Sequence, residues 1–173
     1  MIQRAGEFEK VSFDQFCGDL FYNVPLNDMY GKTTRDMLQS MYDKLQLPSR
    51  ATAGSAGYDF KAPFGFALHT GESIVIPTGI RVKIDEGWWL GCLPRSGLGF
   101  KYRVQLANTV GVIDSDYYHS DNEGHIFIKL TNCGDKNMRV NASDGFAQGI
   151  FIPYGVICSD NAIGGRNGGF YGM

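Results

Sequence analysis

Residues 72–94 read ESIVIPTGIRVKIDEGWWLGCLP. Three short runs stand out in them, ESIVIP, GIRVKI and WWLGCL. Each is rich in β-branched or aromatic residues, and glycine, aspartate or proline parts it from the next. Such side chains fit a pleated, half-buried surface, and the residues between them suit turns. The same alternation continues through RVQLAN, HIFIKLTN, MRVNA and FAQGIFIPY, with a break about every 8–12 residues. That rhythm predicts an all-β fold, whether sandwich, jelly roll or barrel. No glycine-rich loop leads into a predicted helix, so neither P-loop nor Rossmann chemistry is indicated.

Upstream the character differs. FEKVSF, Phe8 to Phe13, is predicted as a first short strand. Residues 14–32 are mixed and carry the turn formers Pro25, Asn27 and Gly31. TTRDMLQSMYDKLQLP then predicts a helix, with Met37, Leu38, Met41, Tyr42 and Leu45 on one face. Thr33 and Asp36 resemble a capping box, and Pro48 closes the segment. It is the one helical pattern that the sequence shows. Without repeats or a linker, residues 1–173 are expected to form a single β domain with a helical insertion at 14–48.

The 173 residues suffice for one sizeable core. A formal net charge of −2 argues against nucleic acid held by bulk electrostatics, so any bound polyanion must be met by a few placed donors. MIQRAGEFEK lacks the apolar run of a signal peptide, and no stretch approaches the roughly 18 apolar residues of a membrane span. Cys17, Cys92, Cys133 and Cys158 are widely spaced and read as free thiols of a reducing compartment. His69, His119 and His125 lack metal-ligand spacing. A soluble cytoplasmic protein, bound to neither membrane nor nucleic acid, is expected.

Four segments depart from ordinary strand and turn filler. In AGSAGYDF, small residues precede Asp59; a tight turn with an exposed aspartate explains that equally well. In PRSGLGFK, Arg95, Ser96 and Gly97 put a guanidinium, a hydroxyl and an accessible N–H in succession, the donors that phosphate oxygens require, although a surface turn has the same composition. In NTVGVIDSDYYHSDNEGHIFIKL, Asp114 follows the apolar run Val110 to Ile113, where a carboxylate is able to take a proton from water; a strand ending in an acidic turn is the alternative. In DGFAQGIFIPY, Gln148 is an amide among apolar neighbours, and its partners are either backbone or a ligand.

Taken in order, AGYDF, PRSGLG, NTVGVIDSDY, GFAQGI and the terminal RNGGF resemble the five motifs of the trimeric dUTPase family. The resemblance runs from about Leu47 to Gly172, and the steps from Arg95 to Asn108 and from Asn108 to Asp114 match the family's spacing. It implies a distorted jelly-roll (β-clip-like) subunit, a homotrimer, and Mg²⁺-dependent hydrolysis of dUTP to dUMP and pyrophosphate, for nucleotide-pool sanitation and dUMP supply. By the same resemblance Asp114 would activate the water that attacks the α-phosphorus, and Asp59 would organise the metal and water. Arg95, Ser96, Gly97 and Gln148 would hold the phosphates, with Mg²⁺ bound mainly through phosphate and water. Asn108, with the backbone of Gly111, Val112 and Ile113 and the return strand near Phe127, would read uracil. Tyr117 would pack under the sugar and exclude a 2′-hydroxyl. The arm, residues 160–173, would cross to a neighbouring subunit, with Phe170 stacked on uracil and Arg166 on the terminal phosphates.

The sequence departs from the family pattern in three places. After the glycine pair and Phe170 it reads Tyr171-Gly172-Met173 where the family carries small hydroxyl residues, which predicts weaker closure of the arm. YHSDNE, residues 118–123, lengthens a hairpin, as an inert loop or a contact surface for a protein partner. Residues 14–48 lie outside the family core, as a packed cover or as an interaction element. Two other functions fit part of the pattern. One is a dUTPase-like nucleotide-binding regulatory protein with reduced catalysis. The other is a relative of dCTP deaminase, for which HIFIKL lacks the carboxylate needed at cytosine C4.

Overall fold

The computed structural model describes residues 3–165. Its strands are β1 (Gly6–Lys10), β2 (Ser49–Arg50), β3 (Tyr58–Lys61), β4 (Phe66–Leu68), β5 (Ser73–Pro77), β6 (Ile80–Ile84), β7 (Trp88–Pro94), β8 (Val104–Leu106), β9 (Gly111–Ile113), β10 (Phe127–Asn132), β11 (Met138–Val140) and β12 (Gly145–Pro153). Its helices are α1 (Phe13–Asn23), α2 (Leu26–Tyr30), α3 (Arg35–Asp43), α4 (Ser96–Tyr102) and a 3-10 helix, Ser115–His119.

All seven β runs read from the sequence contain strands. The largest sheet has the order β2-β3-β12-β7-β9, all antiparallel, and a second runs β5-β10-β8. In β10 the inward Ile128 and Leu130 alternate with the outer Lys129, as a sheet with one solvated face requires. In β7 the consecutive residues Leu90, Gly91 and Cys92 are buried, because that strand is covered on both faces. Phe60, Phe64, Phe146, Ile76, Leu90, Ile126 and Leu130 fill the interior, each worth roughly 1.5–3 kcal/mol of burial. The Cys92 thiol, enclosed there, has its pKa pushed up to about 12 by burial.

The N-terminal region is more helical than expected. The strand at its start ends at Lys10, and residues 14–32, predicted as irregular, form α1 and α2. Ser12 caps α1, its Oγ accepting from the N–H of Gln15 at 3.1 Å. Helix α3 is capped by Thr34, one residue later than predicted. Phe16 and Leu20 of α1 are fully buried, and with Leu26, Leu38 and Leu45 they join the core of the β domain. Gly79 makes this possible. Its φ is +74°, and a Cβ there would overlap Leu45 and crowd Phe16. The insertion is thus a packed cover.

The lengthened hairpin is equally built in. Tyr118 donates to Glu9 at 2.8 Å and lies under the Arg81 guanidinium, itself paired with Glu9 at 2.7 Å. The Glu123 carboxylate accepts from the N–H and the hydroxyl of Ser12, both at 2.7 Å. Gly124, at φ +70°, lets the chain turn where a Cβ would lie 2.7 Å from Tyr118 Cα. Residues 118–123 thus fasten the hairpin to β1 and to the start of α1 through Tyr118 and Glu123.

Burial opposes the charge on Glu123, but the two bonds from Ser12 outweigh it and hold the pKa below the usual value. A carboxyl whose folded pKa is depressed stabilises the fold above its unfolded pKa, and that contribution is lost as pH falls through the folded pKa. Glu123→Gln is therefore expected to cost about 1 kcal/mol at pH 7. The gap should close on acidification below the usual carboxylate range, as urea melts at a series of pH values will show.

Candidate active site

Asp59 on β3 lies directly opposite Gln148 on β12, which in turn lies opposite Leu93 on β7. Gln148 is held by donating from Nε2 to the Pro94 carbonyl at 3.0 Å. Arg95, the first residue past β7, places Nε 3.1 Å from Asp59 Oδ1 and donates from Nη1 to the Gly145 carbonyl at 3.2 Å. Its Nη2 has no partner among the described residues. Asp59, Arg95, Ser96 and Gln148 line one cleft.

Two glycines that sequence reasoning left unassigned make this packing possible. A methyl at Gly57 would overlap Gln148 Oε1, and one at Gly145 would sit 2.5 Å from Arg95 Nη1. Both lie inside the quoted motifs, so the signal was present.

A helix that the sequence reading missed begins here: α4 follows β7 and Arg95 directly, with Gly97 and Gly99 inside it. The first bond of α4 runs from the N–H of Gly99 to the carbonyl of Arg95 at 2.9 Å. The N–H groups of Ser96, Gly97 and Leu98 consequently lack acceptors within the helix. Ser96 and Gly97 are exposed. The Arg95 guanidinium and the Ser96 hydroxyl belong to residues that line the cleft, and donors of that kind suit an anion of several oxygens.

The second group of residues lies elsewhere. Thr109, at φ +66°, turns the chain between β8 and β9. The amide Nδ2 of exposed Asn108 lies 3.8 Å from the position a Cβ on Gly111 would take, so it flanks the start of β9. Strand β9 pairs with β7 on one side, and among the described residues no strand pairs with its other side. Backbone groups of Gly111, Val112 and Ile113 are thus placed at a sheet edge. Asp114 follows at once, half-buried, with its carbonyl accepting from the N–H of Tyr117 at 3.2 Å. Tyr117 is 8% exposed, and its hydroxyl donates to the His125 carbonyl at 2.9 Å and accepts from Asn122 Nδ2 at 2.9 Å. Phe127 opens β10, with its ring 4.8 Å from that of His125.

The two groups lie towards opposite ends of β7. In the β7–β9 ladder Leu90 faces Ile113 and Cys92 faces Gly111. Asp114 leaves the ladder beyond Leu90, whereas Arg95 lies beyond Cys92 at the opposite end. Arg95 is five residue steps beyond Leu90, roughly 17 Å of extended chain. Within one chain the strand register thus holds Asp114 and Arg95 apart.

Arg166 and Phe170 lie outside the described residues. Among the described residues no cluster of three or more His, Cys, Asp or Glu side chains is placed to hold a metal ion. No helix there is long and apolar enough to cross a membrane.

The chain is similar to known proteins in sequence and in fold. A family model described as dUTPase matches residues 43–162. Deoxyuridine 5'-triphosphate nucleotidohydrolase of Mannheimia succiniciproducens is 41% identical, over 64% of this chain and 72% of that protein. That of Actinobacillus succinogenes is 44% identical, over 62% and 70%. The crystal structure of a dUTPase from Streptococcus mutans superposes with a TM-score of 0.61 at 30% identity, covering 87% of this chain and 97% of that one. A dUTPase of phage phi11 of S. aureus, at 22% identity and a TM-score of 0.56, shares the fold over 68% of this chain and 88% of its own.

Proposed function

The chain belongs to the dUTPase family and hydrolyses dUTP to dUMP and pyrophosphate, and we propose that its two half-sites carry that reaction between neighbouring copies. The observation that carries this reading is the β7–β9 register, which holds Asp114 at one end of the strand and the Asp59–Arg95–Gln148 cleft at the other. A second copy brings the two together. A homotrimer also provides cover for Val156, Ile157 and Ile163, which are 69%, 72% and 98% exposed in one chain. The arm that follows them would cross to the neighbour, bringing Phe170 onto the base and Arg166 onto the terminal phosphates.

In the assembled site Arg95 Nη2, the Ser96 hydroxyl and the free N–H groups at the start of α4 bind the phosphate oxygens, and Gln148 adds an amide. Asp114 takes a proton from the water that attacks the α-phosphorus, and pyrophosphate leaves from the opposite side. Asn108 and the unpaired edge of β9, with Phe127 on the return strand, read the uracil. Tyr117, fixed by its hydroxyl, forms a floor for the sugar with no room for a 2′-hydroxyl.

Mg²⁺ suits this donor set. Among the described residues lining the cleft the one carboxylate is Asp59, so a divalent cation there would be held mainly by the substrate's phosphates and water. Bound so, it would neutralise phosphate charge. Four free thiols accord with a cytoplasmic location.

The test is pyrophosphate release from dUTP, dTTP, UTP and dCTP, with Mg²⁺ and with EDTA. Turnover of dUTP alone, falling at least about tenfold in EDTA, is expected. Equal turnover of dTTP or UTP would overturn the assignment of the β9 edge and of Tyr117.

A further inference from the structure

Asp19 of α1 and His125 of the hairpin are 106 residues apart and meet in the core, 5% and 0% exposed. Asp19 Oδ2 lies 2.5 Å from His125 Nδ1 and also accepts from Gln15 Nε2 at 2.7 Å. The other ring nitrogen, Nε2, accepts from the N–H of Gly79 at 2.7 Å. A backbone N–H can only donate, so Nε2 carries no proton and Nδ1 donates to the carboxylate. Both edges of the imidazole are thereby fixed, one by the helical insertion and one by the turn between β5 and β6.

The same residue reaches the nucleoside side of the site. Its carbonyl accepts from the Tyr117 hydroxyl at 2.9 Å and from Asn122 Nδ2 at 3.3 Å. Its ring packs 4.8 Å from that of Phe127. His125 thus stands between α1 and both aromatic residues assigned to the nucleoside, and Asp19 is what holds it on the α1 side.

We propose that Asp19, acting through His125, is a positioning residue for sugar selection: the helical insertion clamps the Tyr117 ring in the place from which it excludes a 2′-hydroxyl. This rests on the assignment of Tyr117 as the sugar floor. Steric exclusion discriminates only as far as the wall resists displacement. A ring free to yield admits the ribonucleotide with little effect on the deoxyribonucleotide. The insertion would then be part of the specificity apparatus as well as a cover.

The test is the ratio of kcat/KM for dUTP to that for UTP, measured on the full chain well below the lowest melting temperature of the set. Asp19→Ala is expected to lower the ratio about tenfold, chiefly by improved use of UTP. Tyr117→Phe, which keeps the ring but cuts its tie to His125, should do the same, and the double variant should add little. Asp19→Asn, whose amide oxygen still accepts from Nδ1, should restore most of the ratio. Ser12→Ala removes the hydroxyl that caps α1 and that ties the start of that helix to Glu123 of the hairpin, and it should lower Tm with the ratio intact.

If Asp19→Ala lowers Tm alone while Tyr117→Leu lowers the ratio, Asp19 is purely structural and the proposal fails, with the sugar floor standing. If Tyr117→Leu leaves the ratio unchanged, the floor assignment itself fails. A fall in the ratio for Ser12→Ala as well would reduce the effect to general loosening and also overturn the proposal. Should Asp19→Ala not fold, an unchanged ratio in Tyr117→Phe is decisive against it.

Discussion

Asp114→Asn is expected to lower kcat for dUTP hydrolysis about 10³-fold while KM stays near that of the wild type. The substitution preserves shape. Asp114 follows β9 and stands at the start of the 3-10 helix, where its main-chain carbonyl accepts from the N–H of Tyr117 and its side chain makes no capping bond. The hairpin should therefore fold as before, with Tyr117 and the β9 edge in place to bind nucleotide. In the proposed reaction, what disappears is the basic oxygen assigned to take the proton from water. An amide oxygen accepts a hydrogen bond, so the water is still oriented, but its proton has nowhere to go. A loss confined to kcat separates this role from one in binding, which would raise KM instead. Single-turnover hydrolysis and equilibrium binding of dUTP measure the two parts. An unchanged kcat would remove Asp114 from the reaction and leave the phosphate cleft to supply the base.

Much of this arrangement is legible in the sequence, and what is not has physical causes. The β runs are readable because inward and outward positions alternate, as Ile128, Lys129 and Leu130 do in β10. Helix α1 is obscured because Gly18 interrupts it, yet burial of Phe16 and Leu20 overrides that local cost. Helix α4 is seven residues long and holds Gly97 and Gly99, a composition that reads as a turn. There the sequence shows the donors but not that they stand at the start of a helix. The motif residues were found by resemblance, and the cleft does collect Asp59, Arg95, Ser96 and Gln148. Asp19 and His125 carry no local signal. Their pairing depends on tertiary structure, and each alone looks like an ordinary polar residue.

Co-expression of an Asp114→Asn chain with an Arg95→Ala chain is expected to restore activity that neither variant shows by itself. Each variant spoils one half-site and leaves the other whole. If every site joins the Asp114 end of one copy to the Arg95 cleft of the next, a closed ring with random mixing leaves about a quarter of the sites intact. Arg95→Ala alone should be nearly inactive. It removes the Nη2 donor and also leaves Asp59, 16% exposed in its side chain, without its cationic partner in the cleft. No rearrangement within one chain can produce the rescue, because each chain in the mixture lacks one of the two groups. Recovery near a quarter of wild-type turnover therefore counts the chains that build a site, without a structure of the assembly. Persistent inactivity, with the mixed oligomer shown to form, would mean that Asp114 and Arg95 act in one copy. The strand register of β7 and β9, which keeps them at opposite ends in the single chain, would then have to change during catalysis.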